Sequence, residues 1–247
     1  MEKQQFTPRV MKDSVKKLDD GSRPQNPWLN ITEKNGMKVA QCDLEYIEKK
    51  YGSLTAMMER FRNAELDFSQ MPEPFTGNRN AKVVCLNMNP GGGYGAPADS
   101  EVYSCRMYKN YRHELNEVFW TEEVKYPDGS THGGTLWYNK RTRELQRILG
   151  RRPDIFFMDF FPYHSKNGFA FPVDLPSYGY RNFLLQEAME QGKLIIIMRQ
   201  RQRWYNILGL NLEDYSRKVF LRSAQSGYLT PNNFNPALSE TEIREYF

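Results

Sequence analysis

Four short apolar runs constrain this chain more than any other feature in it. AKVVCLN (81–87), DIFFMDF (154–160) and KLIIIMR (193–199) are apolar nearly throughout, and KVFLRS (218–223) follows them. A strand with one face in water alternates in polarity. A strand covered on both faces does not, and parallel sheets are covered on both faces. Helical spacing fills stretches between the runs, at 110–120, 139–149, 178–191 and 200–208. Strand alternating with helix predicts an α/β fold: a three-layer α/β/α domain on a four-stranded parallel sheet. With 39% hydrophobic residues in 247, the chain has apolar material for one sizeable core.

The flanks divide the rest. Residues 1–38 are polar, carry Pro8, Pro24 and Pro27, and keep no period. They predict an extended arm, with Trp28 and Leu29 docking on a single domain over 39–247 whose core is 80–235. From Asp43 to Asp67 the apolar residues Leu44, Ile47, Tyr51, Leu54, Met57, Met58 and Phe61 recur at helical spacing, and Gly52–Ser53 splits them into two helices. MPEPFTGN (71–78) reads as turn-rich linkage. KYPDGSTHGG (125–134) carries an Asp-Gly turn signal and predicts a hairpin or flap inserted over 121–138. SETE (239–242) is a capping-box pattern that opens a last short helix.

Composition excludes several classes. Cys42, Cys85 and Cys105 have no CxxC spacing, so they supply neither a disulfide framework nor a four-thiolate cluster. A reducing compartment follows. The N-terminal residues lack the apolar stretch of a signal peptide, and no apolar run approaches the roughly 20 residues of a membrane span. The expectation is a soluble, cytoplasmic monomer. A net charge of +4 permits a polyanionic partner without demanding one. Aromatics at 14% favour ring-lined pockets or base stacking, beside their ordinary use in core packing.

In a parallel sheet, ligands collect at the carboxyl ends of the strands. The segments after each run are therefore read together: NPGGGYG, FPYHSKNG, RQRQRW and SAQSGYLTPNN. After Asn89 and Pro90 come Gly91, Gly92, Gly93 and Gly95, more glycine than a turn needs. A backbone passing close to a ligand uses such residues. Gly91, Gly93 and Ala96 fit a dinucleotide fingerprint only weakly. Pro97 follows at once, and no acidic residue stands about 20 residues on. No Gly-Lys-Ser/Thr follows, which excludes a Walker A loop.

LNMNPGGGYG resembles the first motif of the uracil-DNA glycosylase superfamily in its G-x-N-P-G form. It is most similar to the single-strand-selective monofunctional type, with Asn87, Met88, Asn89, Pro90 and Gly91 at the five positions. That type ends its next core strand with N-H-C-P; here Asp159, Phe160, Phe161 and Pro162 stand there. A third motif, often H-P-S-P, corresponds to Arg222 through Gly227, then Tyr228, Leu229, Thr230 and Pro231. The resemblance covers 80–235. It implies a monofunctional DNA glycosylase of base excision repair that flips a base, hydrolyses its N-glycosidic bond and releases the free base. It implies no metal, cluster or organic cofactor.

Cleavage passes through an oxocarbenium-like sugar and an anionic leaving base. Asn89 is positioned to hold the water, and the loop amides of Met88 to Gly92 to donate to the base or a phosphate. Asp159 departs from the family's base-reading asparagine. Ionised, it only accepts, which suits a base edge that donates and disfavours uracil; protonated by burial, it still reads uracil. His164 is the best-placed imidazole to donate to the base anion, with Lys166 facing a phosphate. Tyr103 is the nearest ring to sandwich the base, with Tyr94 and Tyr108 as alternatives. Arg199, Arg201 and Arg203 beside Trp204 form a basic run suited to a phosphate track or a solvated helix face. In the third motif Arg222 or Ser223 stands where the family has histidine, while Gln225 and Ser226 can bond a base edge or phosphate. Tyr228 and Leu229 either push into the vacated stack or anchor the tail. Two other readings remain: a non-catalytic nucleic-acid binder of the same fold, and a small-molecule nucleotide or nucleoside enzyme that uses the glycine loop for phosphate.

Overall fold

A computed structural model describes residues 23–91, 100–120, 125–167, 171–172 and 174–247. Strands β1 (Ile31–Lys34) and β2 (Met37–Ala40) form an antiparallel hairpin. Its turn is Asn35-Gly36, with φ of 53° and 74°, the left-handed pair that matches the twist of the flanking strands. The polar arm expected to extend to residue 38 is therefore a hairpin over its last part. Trp28 docks as expected, 2% exposed and packed near Tyr111 and Tyr163, but Leu29 stays in solvent.

Helices α1 (Gln41–Tyr51) and α2 (Leu54–Arg60) follow, divided where Gly52 takes a φ of 84° and the Ser53 side chain caps α2 by accepting from the Ala56 amide. Then come β3 (Leu66–Asp67), β4 (Phe75–Gly77), β5 (Val83–Asn87), α3 (Ser100–Tyr111), α4 (Gly133–Leu149), β6 (Phe156–Asp159), β7 (His164–Ser165), α5 (Tyr178–Glu190), β8 (Leu194–Ile197), α6 (Arg201–Tyr205), β9 (Lys218–Leu221), β10 (Phe234–Asn235) and α7 (Glu240–Tyr246). The Ser239–Glu242 capping box opens α7. The helix expected at 110–120 lies earlier, in α3. Its buried stripe is Tyr103, Met107 and Tyr111, spaced one turn apart.

One mixed sheet of six strands runs in the order β10-β9-β8-β5-β6-β4. The four strands read from the sequence, β5, β6, β8 and β9, are mutually parallel, and β4 and β10 close the edges antiparallel. Val83, Val84, Cys85, Leu86, Ile195 and Ile196 are fully buried, which is why those runs carry no alternation. Each such aliphatic side chain contributes about 1.5–3 kcal/mol on burial. The segment 71–78, read as linkage, contains the edge strand β4 and pairs with β6.

The first strand of the parallel set, β5, lies between the second, β6, and the third, β8. A crevice is expected between β5 and β8, where the chain changes direction. Trp204 of α6 is fully buried against that end of β5, with its ring nitrogen donating to the Asn87 carbonyl at 3.2 Å. The polar side chains gather instead beyond β5 and β6.

Gly77 ties β4 to β6 at close range. Its φ is 103°, and a Cβ there would lie 2.1 Å from the Ile155 carbonyl oxygen. Gly77→Ala is expected to destabilise the fold by about 2–4 kcal/mol, read from urea unfolding. A loss within about 0.5 kcal/mol would contradict this edge pairing.

Candidate functional site

The ends of β5 and β6 are held in step. Asn87 pairs with Asp159 in the parallel register, and beyond it the Phe160 and Phe161 amides donate to the Asn87 and Met88 carbonyls. Met88 is buried, so it offers backbone here rather than a side chain at the surface. Asn89 leaves the strand half-buried. Its Nδ2 donates to the Pro90 carbonyl (2.7 Å) and to the carbonyl and hydroxyl of Ser165 (3.0 and 2.9 Å). The donor end of the amide is committed to the protein. The acceptor end, Oδ1, is the part suited to holding a water.

His164 and Ser165 form β7, which pairs with β3 and carries both residues to this point. The imidazole Nδ1 faces the Gly91 carbonyl at 2.8 Å; Nε2 faces the Met71 carbonyl at 3.2 Å and Glu73 Oε1 at 3.5 Å. Both ring nitrogens are thus occupied by protein groups. The expected role of His164 as a donor to a departing base does not fit this geometry. His164 instead ties the start of the glycine loop to residues 71–73.

Glu73 was not anticipated. It lies between Pro72 and Pro74, is 5% exposed, and its amide donates to the Pro162 carbonyl at 2.8 Å. One residue on, the Asp159 amide donates to the Pro74 carbonyl at 2.9 Å. Two backbone bonds therefore hold the Glu73 and Asp159 segments side by side. Burial pushes the Glu73 carboxyl up, opposed by His164, the Trp120 ring nitrogen and the Tyr103 hydroxyl. The Trp120 approach is looser than a hydrogen bond, since its buried Nε1 has no bonded partner. Asp159 is 6% exposed and its Oδ1 is buried with no partner among the described residues. Burial first and the Glu73 charge second push the Asp159 carboxyl well above its ordinary value. The neutral form is favoured, and a neutral carboxyl both donates and accepts.

Tyr103 reaches this cluster from α3, buried and edge-on to Phe119. Burial and the Glu73 charge hold its phenol well above the usual range, so it is a neutral donor. Tyr108 is half out in solvent on the same helix. Tyr94 and the glycines after Gly91 lie outside the described residues. The unexplained insertion also bears on this place. Lys125 bridges Thr131 antiparallel, and the turn leads into His132, which caps α4 by accepting from the Gly134 amide at Nδ1 (3.1 Å). Burial, then the charge of His164, lowers the His132 pKa. Gly134 lies flat on Trp120, where a Cβ would come within 2.5 Å of the ring. The flap thus packs the indole toward Glu73.

The other expected contacts fall on the surface. Lys166 is exposed and paired with Glu65 at 2.8 Å. Arg199 donates to the Gln225 carbonyl at 3.3 Å, and Arg141 of α4 donates to the Ser226 carbonyl and lies over the Tyr228 ring. Arg201 stacks on Phe220. Ser223 and Gln225 are exposed, with the Ser223 amide fixed by Asn233. Leu229 is fully buried and its amide donates to the Arg141 carbonyl, so it anchors the tail and does not project as a wedge. Among the described residues no three His, Cys, Asp or Glu side chains are grouped to hold a metal ion. Nor, among them, is any helix long and apolar enough to cross a membrane.

Asn89, Tyr103, Asp159 and His164, distant in sequence, are therefore brought to one cluster. Glu73, Trp120 and Ser165 complete it. The only trace of Glu73 in the sequence is a lone acid between prolines, and that pattern does not specify burial. Comparison with protein-family models, with curated proteins and with solved structures gives no match.

The Asp159 carboxyl keeps its proton in the folded chain where the unfolded chain releases it. Its contribution to stability is therefore greatest below about pH 4 and falls as pH rises toward the folded value. Asp159→Asn removes this loss. By calorimetry the variant is expected to gain in Tm over the wild type at pH 7 and to gain less at pH 4. An equal difference at both pH values would contradict the assignment.

Proposed function

We propose that this chain is a DNA glycosylase that draws one nucleobase out of the strand and hydrolyses its N-glycosidic bond. On this reading the parallel strands belong to the three-layer arrangement of the uracil-DNA glycosylase superfamily, and the protein works in the cytoplasm on DNA. The observation that carries the reading is the pairing of two polar tips at adjacent strand ends. One is Asn89, its donor end tied down and its acceptor end left over. The other is Asp159, buried with an unbonded oxygen. A buried polar atom without a partner calls for a ligand or a water. A flat heterocycle with donors and acceptors along one edge meets that need.

In the reaction Asp159 pairs with the base edge and Asn89 Oδ1 orients a water at the sugar carbon. Tyr103 walls the slot, and Gly91 lets the backbone approach. His164 positions the loop rather than reacting. An amide is a weak base, so the water is held more than it is activated, and the expected rate is modest. Arg199, Arg201, Ser223, Gln225, Ser226 and Tyr228 form the face for the strand, with Lys166 at its margin. That face is exposed and carries arginines bonded to carbonyls, a suitable phosphate track.

The occupied nitrogens of His164 and the absence of histidine from 222–229 favour one second reading, a base-binding protein that does not cleave. Excision assays on single-stranded oligonucleotides holding uracil or hypoxanthine separate the two. For the glycosylase, Asn89→Ala lowers excision by about 100-fold and leaves DNA affinity within about threefold. Affinity without abasic product in the wild type would establish the binder. In the same assay Arg199→Ala reduces the slope of log affinity against log salt by about one. A slope near zero in the wild type would instead favour a small-molecule substrate.

A further inference from the structure

The row of side chains that ends the sheet holds a second polar tip beside Asp159. Asn87 is the last residue of β5 and stands opposite Asp159 of β6 in the parallel register. Register partners in adjacent strands point to the same face, with roughly 4.8 Å between the strands. One pair earlier on that face are Cys85 and Phe157, both buried, and Phe157 packs edge-on against Trp137 and Tyr138 of α4. Trp120 packs in turn against Trp137, with ring centroids 5.6 Å apart. The Asn87 and Asp159 side chains therefore leave the sheet together, on the face that α4 covers and just past its aromatic rings.

Both residues are more than nine-tenths buried, and the fold does not use up either side chain. The Asn87 carbonyl accepts from the Phe160 amide and from the Trp204 ring nitrogen. Its side-chain amide has no hydrogen-bond partner among the described residues, yet neither Nδ2 nor Oδ1 is sealed from solvent. Asp159 Oδ1 likewise has no partner among the described residues. An unbonded amide at the end of an otherwise apolar strand costs stability that a hydrocarbon side chain would not. The motif that 87–91 resembles has glycine at this position, so the amide is an addition of this chain.

Resting on the reading of the site as a nucleobase slot, we propose that Asn87 is a specificity-determining residue that reads a second exocyclic group on the base edge that Asp159 meets. Two tips one strand spacing apart match an edge with a polar exocyclic group on each side of a ring nitrogen. Uracil and xanthine have such an edge, a carbonyl on both sides of an N–H. Hypoxanthine and adenine carry only one exocyclic group there. A free amide can turn either end outward, so Asn87 responds to the presence of the second group and not to whether it is a carbonyl or an amino group.

The test compares two pairs of free bases that differ only in the carbonyl at C2: xanthine with hypoxanthine, and uracil with 4(3H)-pyrimidinone. Binding to the full-length protein is measured by calorimetry at pH 6.5. The wild type is expected to bind the dicarbonyl member of a pair about tenfold more tightly, the contribution of one hydrogen bond. Asn87→Ala lowers the affinity for that member by about tenfold and leaves the other within about threefold, since only the C2 carbonyl loses its partner. Where one pair is too weak to measure, the other decides. A wild type that does not distinguish the members, or an equal loss for both in Asn87→Ala, overturns the reading role of Asn87 while the slot stands. The Asn87 side-chain N–H signals are also followed by NMR in the wild type. They shift with uracil or xanthine and stay with the monocarbonyl base. Signals that stay while a dicarbonyl base binds overturn the proposal even if Asn87→Ala does not fold. Binding of none of the four bases overturns the slot itself.

Discussion

The arrangement depends on a backbone clasp between residues 71–74 and the end of β6. Two hydrogen bonds, Glu73 to Pro162 and Asp159 to Pro74, carry the edge pairing of β4 past the sheet proper. Pro72 and Pro74 cannot donate, and their fixed φ keeps the segment extended, so Glu73 supplies the amide that binds. The clasp holds alongside each other the segments that carry two buried carboxyls, Glu73 and Asp159. Everything distinctive about the cluster follows from that. His164 faces Glu73 at 3.5 Å and the Gly91 carbonyl at 2.8 Å, Trp120 packs against Gly134, and Asp159 Oδ1 has no partner among the described residues.

The strand ends explain why the cluster stands where it does. A sheet of this order offers its crevice between β5 and β8, but Trp204 covers the end of β5 there, edge-on to Phe160. Behind them the buried Arg181 guanidinium lies over both Phe160 and Tyr178 at 4.2 Å and donates to the Phe160 carbonyl. Cation and rings together make a firm wall just after Asp159. Polar chemistry is pushed to the other side of β5, toward β6 and β7. On the outer face, Arg141 and Arg199 hold neighbouring carbonyls of the 225–226 turn, which sets Tyr228 over the α4 arginine while Leu229 secures the chain beneath.

Much of this could be read from the chain alone, and the limits have physical causes. The four parallel strands were readable because burial on both faces leaves an unbroken apolar run. The break at Gly52–Ser53 and the cap at Ser239 were readable because turn and cap chemistry is local. The hairpin at 31–40 was passed over although Asn35-Gly36 signals it, because its strands are polar on the surface and look like an arm. Helix α3 was displaced because its buried stripe is mostly tyrosine. The short strands β3, β4, β7 and β10 were out of reach, since two or three residues pair only because a tertiary neighbour is present. Asn89, Asp159 and Tyr103 were found at strand ends or beyond. Glu73 was not, because nothing in the local chemistry of a glutamate between prolines says that it is buried beside a second acid.

The central claim is that Asn89 and Asp159 bound a slot for one flat heterocycle. A crystal structure of the full-length protein soaked with free uracil tests it most directly. The account predicts the ring between the two side chains, with Asp159 oxygens within hydrogen-bond distance of its O4 and N3 and the Tyr103 side chain against it. A ring bound elsewhere, or a gap between Asn89 and Asp159 closed by packed hydrocarbon, would contradict it.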